Sequence, residues 1–290
     1  MKKPRICFFT VLLILFLLNT VFFSCKTIST KIPQDPFMVL GDSFSLYTAL
    51  DAKRDTYTLR QLILSFFPEL SEKNQEALLL KISTMYIGFS LDTKEFSLVV
   101  EGNFPALLKS QLNKKNGWEK KRYSPESVGL AQNFFLHTDG IALAFVHKNL
   151  LFISNNQIEA MLERFSLTNR IAIPGGIEGI SNEDYNYLKL RQALQEETIL
   201  LYIKEPKTLL SQFLPFDSDL ALDYLLIYAK EKEKDYQLTI DFVFTDTRAV
   251  RPALLLFKIA FYNYDVFIEQ IAENQVQVKN ISFNLWDGIQ

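Results

Sequence analysis

The tetrapeptide Pro105-Ala106-Leu107-Leu108 recurs unchanged as Pro252-Ala253-Leu254-Leu255, and the order of predicted elements recurs around it. That recurrence constrains the fold more than any other feature, because it asks for two copies of one unit. In the first copy residues 43–50 read as a strand. Residues 56–67 read as a helix ended by Pro68, with a second helical piece at 74–80. Strands at 82–91 and 95–101 meet at the polar hairpin Asp92-Thr93-Lys94. A helix over 104–115 places Leu107, Leu108 and Leu112 on one face, takes Pro105 in its first turn and stops at Asn116-Gly117. Residues 118–123 return as a strand.

The second copy follows the same order. A strand at 198–204 leads to a helix at 207–214 ended by Pro215. Strands at 220–231 and 235–245 join at Lys232-Glu233-Lys234. A helix at 251–262 again has a proline, Pro252, in its first turn. A short helix at 265–273 and a closing strand at 275–284 complete it. Strand–helix–strand–hairpin–strand–helix–strand is the order of the split βαβ unit. The expected fold is therefore α+β, two tandem ferredoxin-like (βαββαβ) units. The first is extended by antiparallel strands at 141–147 and 150–154, a further strand within 128–136, and a helix at 157–165. The stretch Ile173-Pro174-Gly175-Gly176-Ile177-Glu178-Gly179 is where a linker belongs. The expected boundaries are a first α+β domain at 37–170, a linker at 171–182 and a second α+β domain at 183–290. The layout loosely resembles envelope proteins built from repeated α+β modules.

Ahead of these units lies a leader. Lys2, Lys3 and Arg5 precede an apolar run over 6–23 that is broken by Thr10, Asn19 and Thr20. A positive flank followed by an apolar run is an export signal, and its orientation places the rest of the chain outside the cytoplasm. The leader also accounts for the overall charge. The whole chain is at -2, but without residues 1–24 it holds 28 basic and 33 acidic residues, a net -5. That balance gives no electrostatic ground for nucleic-acid binding. Of the 2 cysteines, Cys7 is in the leader and Cys25 sits at its edge, so the body has no thiol pair for a disulfide.

The stretch Val21-Phe22-Phe23-Ser24-Cys25 resembles the lipobox of bacterial lipoproteins, with Ser24 as the small residue before the cysteine. Phe22 and Phe23 depart from the usual Leu and small residue, and in this the stretch resembles the relaxed lipoboxes of spirochaetes. The resemblance covers about a tenth of the chain. It implies that residues 1–24 are a signal peptide and that Cys25 becomes the N-terminus and the lipidation site, carrying several acyl chains, palmitate among them. One buried chain holds a protein only marginally, at about 0.8 kcal/mol per CH₂, whereas several hold it stably. Residues 25–36 then form a polar tether.

Candidate chemistry is sparse. Val39-Leu40-Gly41-Asp42-Ser43-Phe44-Ser45 resembles the first block of the GDSL hydrolases, which would make Ser43 a nucleophile. That chemistry needs a base, which in the family is a His three residues after an Asp near the C-terminus. The 2 histidines here, His137 and His147, are mid-chain and follow Phe134 and Ala144 at that spacing. They have no Cys or carboxylate cluster beside them, as a zinc site would need. Asp217, Asp219 and Asp223 do not continue as a calcium loop, and Gly175-Gly176 lacks the Lys-Ser or Lys-Thr of a phosphate loop. Lys114, Lys115, Lys120, Lys121 and Arg122 form a basic cluster that could touch anionic headgroups. Phe257, Phe261, Tyr262, Tyr264 and Phe267 read as a helix face packed on its sheet, or else as the lining of an apolar groove.

The sequence therefore reads as an exported, lipid-anchored envelope protein on the periplasmic or cell-surface side of a bacterial membrane. Its body reads as a non-enzymatic binding or scaffolding module, with no catalytic, cofactor or metal residues assigned. Its partners would be the membrane, through the N-terminal lipid, and a protein or apolar ligand. The alternative is a GDSL-like serine hydrolase using Ser43.

Overall fold

The structure, a computed structural model, describes residues 36–66, 72–104, 109–110, 112–124, 131–171, 199–204, 206, 221–232 and 235–283. The leader, Cys25, the expected linker beyond Ile171 and the expected helix at 207–214 lie outside the described residues. The chain enters through α1 (Pro36–Leu40), β1 (Leu46–Asp51), α2 (Thr56–Phe66), α3 (Glu72–Leu79), β2 (Ile82–Phe89) and β3 (Phe96–Gly102). A 3-10 turn at Lys114–Asn116 leads into β4 (Trp118–Tyr123), β5 (Gln132–His137), β6 (Ala142–His147), β7 (Leu150–Ser154) and α4 (Ile158–Ile171). Then come β8 (Ile199–Lys204), β9 (Leu222–Lys232), β10 (Asp235–Phe244), α5 (Val250–Ala260), β11 (Phe267–Ala272) and β12 (Gln275–Phe283).

These strands form one 12-stranded sheet in the order β11-β12-β10-β9-β8-β1-β2-β3-β7-β6-β5-β4. Every pairing is antiparallel. The centre is β1, where Thr48 faces Ile87 of β2 on one side and Leu201 of β8 on the other. Two-residue alternation sorts the side chains onto two faces. One face carries Tyr47, Tyr86, Val99, Phe152, Tyr202 and Leu226 beneath α1 and α4. The opposite face carries Leu50, Met85, Leu98 and Leu151 beneath α2 and α3. Further along that opposite face, Ile203, Leu225, Phe242 and Val276 lie beneath α5. Each fully buried Leu, Ile or Phe contributes about 2 kcal/mol. Both cores run across the β1/β8 seam, since Leu200 and Tyr202 join the first cluster and Ala229 and Tyr236 the second.

The α+β class stands, but the ferredoxin-like order does not match what is found. In a split βαβ unit the two strands joined by a helical crossover are parallel and lie apart, with a third, antiparallel strand between them. Here β1 pairs directly and antiparallel with β2, and β2 with β3, so the three form a meander with α2 and α3 inserted. The expected helix at 265–273 is also corrected. Those residues contain β11, which pairs with β12 through Phe267 opposite Lys279 and Glu269 opposite Gln277. A further difference is α1, whose five residues are too few to show a helical period.

Candidate functional site

The Gly-Asp-Ser block is a helix terminus. Gly41 follows α1 at φ +82°, the left-handed conformation that ends helices, and its N–H donates to Phe37 O at 3.1 Å. Arg164 of α4 closes the same end. Its Nε donates to Val39 O and its Nη2 to Leu40 O, each at 2.8 Å. The Tyr47 hydroxyl donates to Gly41 O at 2.8 Å and accepts from Phe44 N at 3.1 Å. A Cβ placed on Gly41 would come within 2.9 Å of the Arg164 guanidinium carbon. Ser43 is exposed and its Oγ accepts from Gln157 Nε2 at 3.0 Å. That partner is an amide, which cannot serve as a base.

Neither histidine completes a catalytic set. His137 lies against Trp118 with ring centroids 4.8 Å apart, and its Nδ1 is 3.1 Å from Asp139 Oδ2. The Nδ1 of His147 has no hydrogen-bond partner. Among the described residues no three His, Cys, Asp or Glu side chains gather as metal ligands. Asp223 is exposed on β9, and Asp217 and Asp219 lie outside the described residues.

One polar cluster had no sequence expectation. Asp241 is 3% exposed on β10. Its carboxylate accepts from Gln277 Nε2 at 2.6 Å and Gln275 Nε2 at 2.9 Å, and also bonds Tyr228. Burial pushes its carboxyl up from the usual value, against the pull of these donors and of Lys279. Lys279 itself is paired with Glu269 on β11. The readable signal was the alternation Gln275-Val276-Gln277-Val278, with valines facing the core under α5 and glutamines the other face.

The end of the sheet at α5 and β11 is different in character. Val250, Ala253 and Phe257 face inward from α5 at helical spacing. Leu255 and Ile259 face outward and are 63% and 77% exposed. Tyr262, Tyr264 and Phe267 are exposed as well, as is Ile271 on the edge strand. Phe267 lies on the opposite face from α5, so the apolar surface wraps around the β11 edge. The expected packed aromatic face therefore holds for Phe257 and, partly, Phe261, while the tyrosines and Phe267 lie in the open. A cleft between α2 and α3, about 260 Å³ and lined by Arg60, Leu64, Gln75 and Glu76, is spanned by an Arg60–Glu76 ion pair at 3.1 Å. That volume is below the usual range of a small-molecule site. No described helix is long and apolar enough to cross a membrane.

A family model described as "Outer membrane-associated lipoprotein TP0453", of a spirochaetal (Treponema) family, matches residues 31–284. Three crystal forms of TP0453 have a similar fold. Form I gives a TM-score of 0.59 at 14% identity, covering 86% of this chain and 93% of that one. Form IV gives 0.57 at 15% identity, covering 88% and 95%, and form III 0.56 at 15% identity, covering 86% and 94%. At such identity the likeness is one of fold. No curated protein matches the chain.

Proposed function

The chain belongs to the outer membrane-associated lipoprotein TP0453 family, and from that premise we propose that its body is a non-enzymatic binding module presented at the envelope. It is an exported, lipid-anchored protein of a bacterial membrane. In this reading residues 1–24 are the signal peptide, Cys25 carries the lipid and residues 25–36 are the tether. The surface that carries the reading is the apolar wrap at α5 and β11. Leu255, Ile259, Tyr262, Tyr264 and Phe267 lie together at one end of the sheet, exposed at a cost in hydration that an apolar partner would remove. The alternative, a hydrolase built on Ser43, has no support in the geometry: Ser43 Oγ bonds Gln157, and Gly41 belongs to a helix cap.

We also read the body as a duplication, with 37–170 and 183–290 as its two copies and 171–182 as the connection between them. The strand order supports this. Outward from the seam it runs β1-β2-β3-β7 on one side and β8-β9-β10-β12 on the other, with each hairpin in the corresponding place. The closing strand of the first copy was expected at β4 and the extension at β5, β6 and β7; in this reading β7 takes the place that β12 has in the second copy, and β4, β5 and β6 are the extension beyond it.

Placing a photo-crosslinking residue at Ile259 in cells tests the binding surface. The expected result is a discrete adduct that is absent with the same residue at exposed Lys53. Ile259→Asp should change stability by no more than about 0.5 kcal/mol, as for a surface position. No adduct at Ile259, or identical adducts at both positions, would sink the binding reading.

A further inference from the structure

The basic run in the sequence becomes one end of the sheet in the fold. Between residues 109 and 123 the chain has six cations and one acid, so the rest of the body after residue 24 is at -10. The fold puts these cations on and beside β4, which is the last strand of the sheet and, among the described residues, has no neighbour on its outer side. Lys120 and Arg122 share a face with Trp118, opposite Phe135, Asn133 and His137 of β5. Glu119 is on the other face, where it pairs with Lys121 at 2.8 Å. Lys114 and Lys115 are exposed in the 3-10 turn before the strand, and Lys109 Nζ stands 5.1 Å over the Phe145 ring. Among the described residues Lys115, Lys120 and Arg122 have no ion pair.

We infer that the β4 edge is a docking surface for anionic lipid headgroups, holding the anchored body with this edge against the bilayer. The inference rests on the reading of the chain as a lipid-anchored module. Lysines on an edge strand also block unwanted strand pairing, and one or two on the strand serve that purpose. Lys109, Lys114 and Lys115 are not on the strand, so edge protection does not account for them. Like charges held together repel one another, and an extended array of anions offsets that repulsion. Lys120 and Arg122 are roughly 7 Å apart along a strand about 20 Å long, with Trp118 and Phe135 half-buried beside them. That layout suits a flat, repeating anionic surface with an apolar layer below it.

The tether is long enough to let that surface reach this edge. Eleven peptide units separate Cys25 from Pro36, a reach of at most about 38 Å. Helix α1 packs over β2 and β3, and β4 is four to five strand spacings away, about 20–24 Å. A bilayer held this close acts at a high effective concentration, which a free acidic protein lacks. The apolar wrap at β11 is then at the far end of the strand order, available to a partner.

The test uses the acylated full chain with Trp286→Phe, which leaves Trp118 as the single emitter. It is bound to vesicles bearing a quencher near the headgroups, either wholly zwitterionic or with about one-third anionic phospholipid. Quenching of Trp118 is expected in the anionic vesicles and not in the zwitterionic ones, although the protein floats with both. It should disappear in about 1 M salt, where screening shortens to about 3 Å. Each of Lys114→Gln, Lys120→Gln and Arg122→Gln should weaken the contact by about fivefold. Equal quenching in both lipids, or flotation without quenching in anionic vesicles, overturns the inference. Shielding of Trp118 by soluble polyglutamate but not by anionic vesicles overturns it in favour of an acidic protein partner. Failure to float with either vesicle means that the anchored-module reading has failed, and the docking edge falls with it.

Discussion

At the residue scale, the sequence showed which side chains were available but not which of them would meet. Gly41-Asp42-Ser43 has the letters of a nucleophile block, yet its chemistry is settled by Arg164, more than a hundred residues away, whose guanidinium donates to Val39 O and Leu40 O. No local pattern announces a cap supplied from another helix. Arg164→Ala should therefore destabilise the protein by about 2–3 kcal/mol, because two charge-assisted bonds to a helix end are lost. Urea denaturation checks this, and Arg164→Lys should recover only part of the loss, since an ammonium cannot span both carbonyls. Asp241 gives a prediction with a definite sign. Its folded-state carboxyl titrates above its unfolded value, so the folded state holds the proton more tightly between the two. Asp241 thus contributes a loss of stability as pH rises from the ordinary carboxylate value through the raised one, and a constant penalty above it. Asp241→Asn should remove that decline and be at least as stable as wild type at neutral pH. Asp55 shifts in the same direction, so the difference between variant and wild type across pH is the quantity to measure. Lower stability of Asp241→Asn at neutral pH would mean that the bonds from Gln275, Gln277 and Tyr228 outweigh desolvation.

At the element scale, the hairpins were legible and the pairings were not. Asp92-Thr93-Lys94 and Lys148-Asn149 mark turns by their own chemistry, and β2–β3 and β6–β7 form around them. Residues 265–273 misled because Phe267 and Ile271 are spaced for a helix face. Pairing with β12 across the Glu273-Asn274 turn decides for a strand, and that is a contact between segments rather than a local preference. The ferredoxin-like order failed for the same reason. Element order is compatible with both a crossover and a meander, and the direct pairing of β1 with β2 decides for the meander. A side-chain bond ties elements of the two copies together beyond the β1/β8 ladder. Thr58 of α2 and Tyr236 of β10 share a buried hydrogen bond between their hydroxyls. Tyr236→Phe should cost about 1 kcal/mol, read as a shift of the denaturation midpoint with unchanged slope. No shift would mean that this pair adds nothing to the β1/β8 ladder and the packing that already join the two copies.

At the scale of the whole molecule, the body of a lipid-anchored protein is built on a single sheet with a basic end at β4 and an apolar end at β11. Export and lipid anchoring were legible because they are read from a linear stretch, here expected in Lys2 through Cys25. The basic end was legible as a run of letters but not as an edge, since the position of β4 depends on pairings of β5, β6 and β7. The apolar end was misread as a packed face because periodicity cannot tell which aromatic residues find cover. The central claim is that this body is held at a membrane through Cys25, and it is tested most directly by the mass of the N-terminal peptide of the mature protein. The account predicts a chain beginning at acylated Cys25, and loss of membrane fractionation in Cys25→Ala. A mature chain that begins at Met1, or that carries no lipid on Cys25, would contradict it.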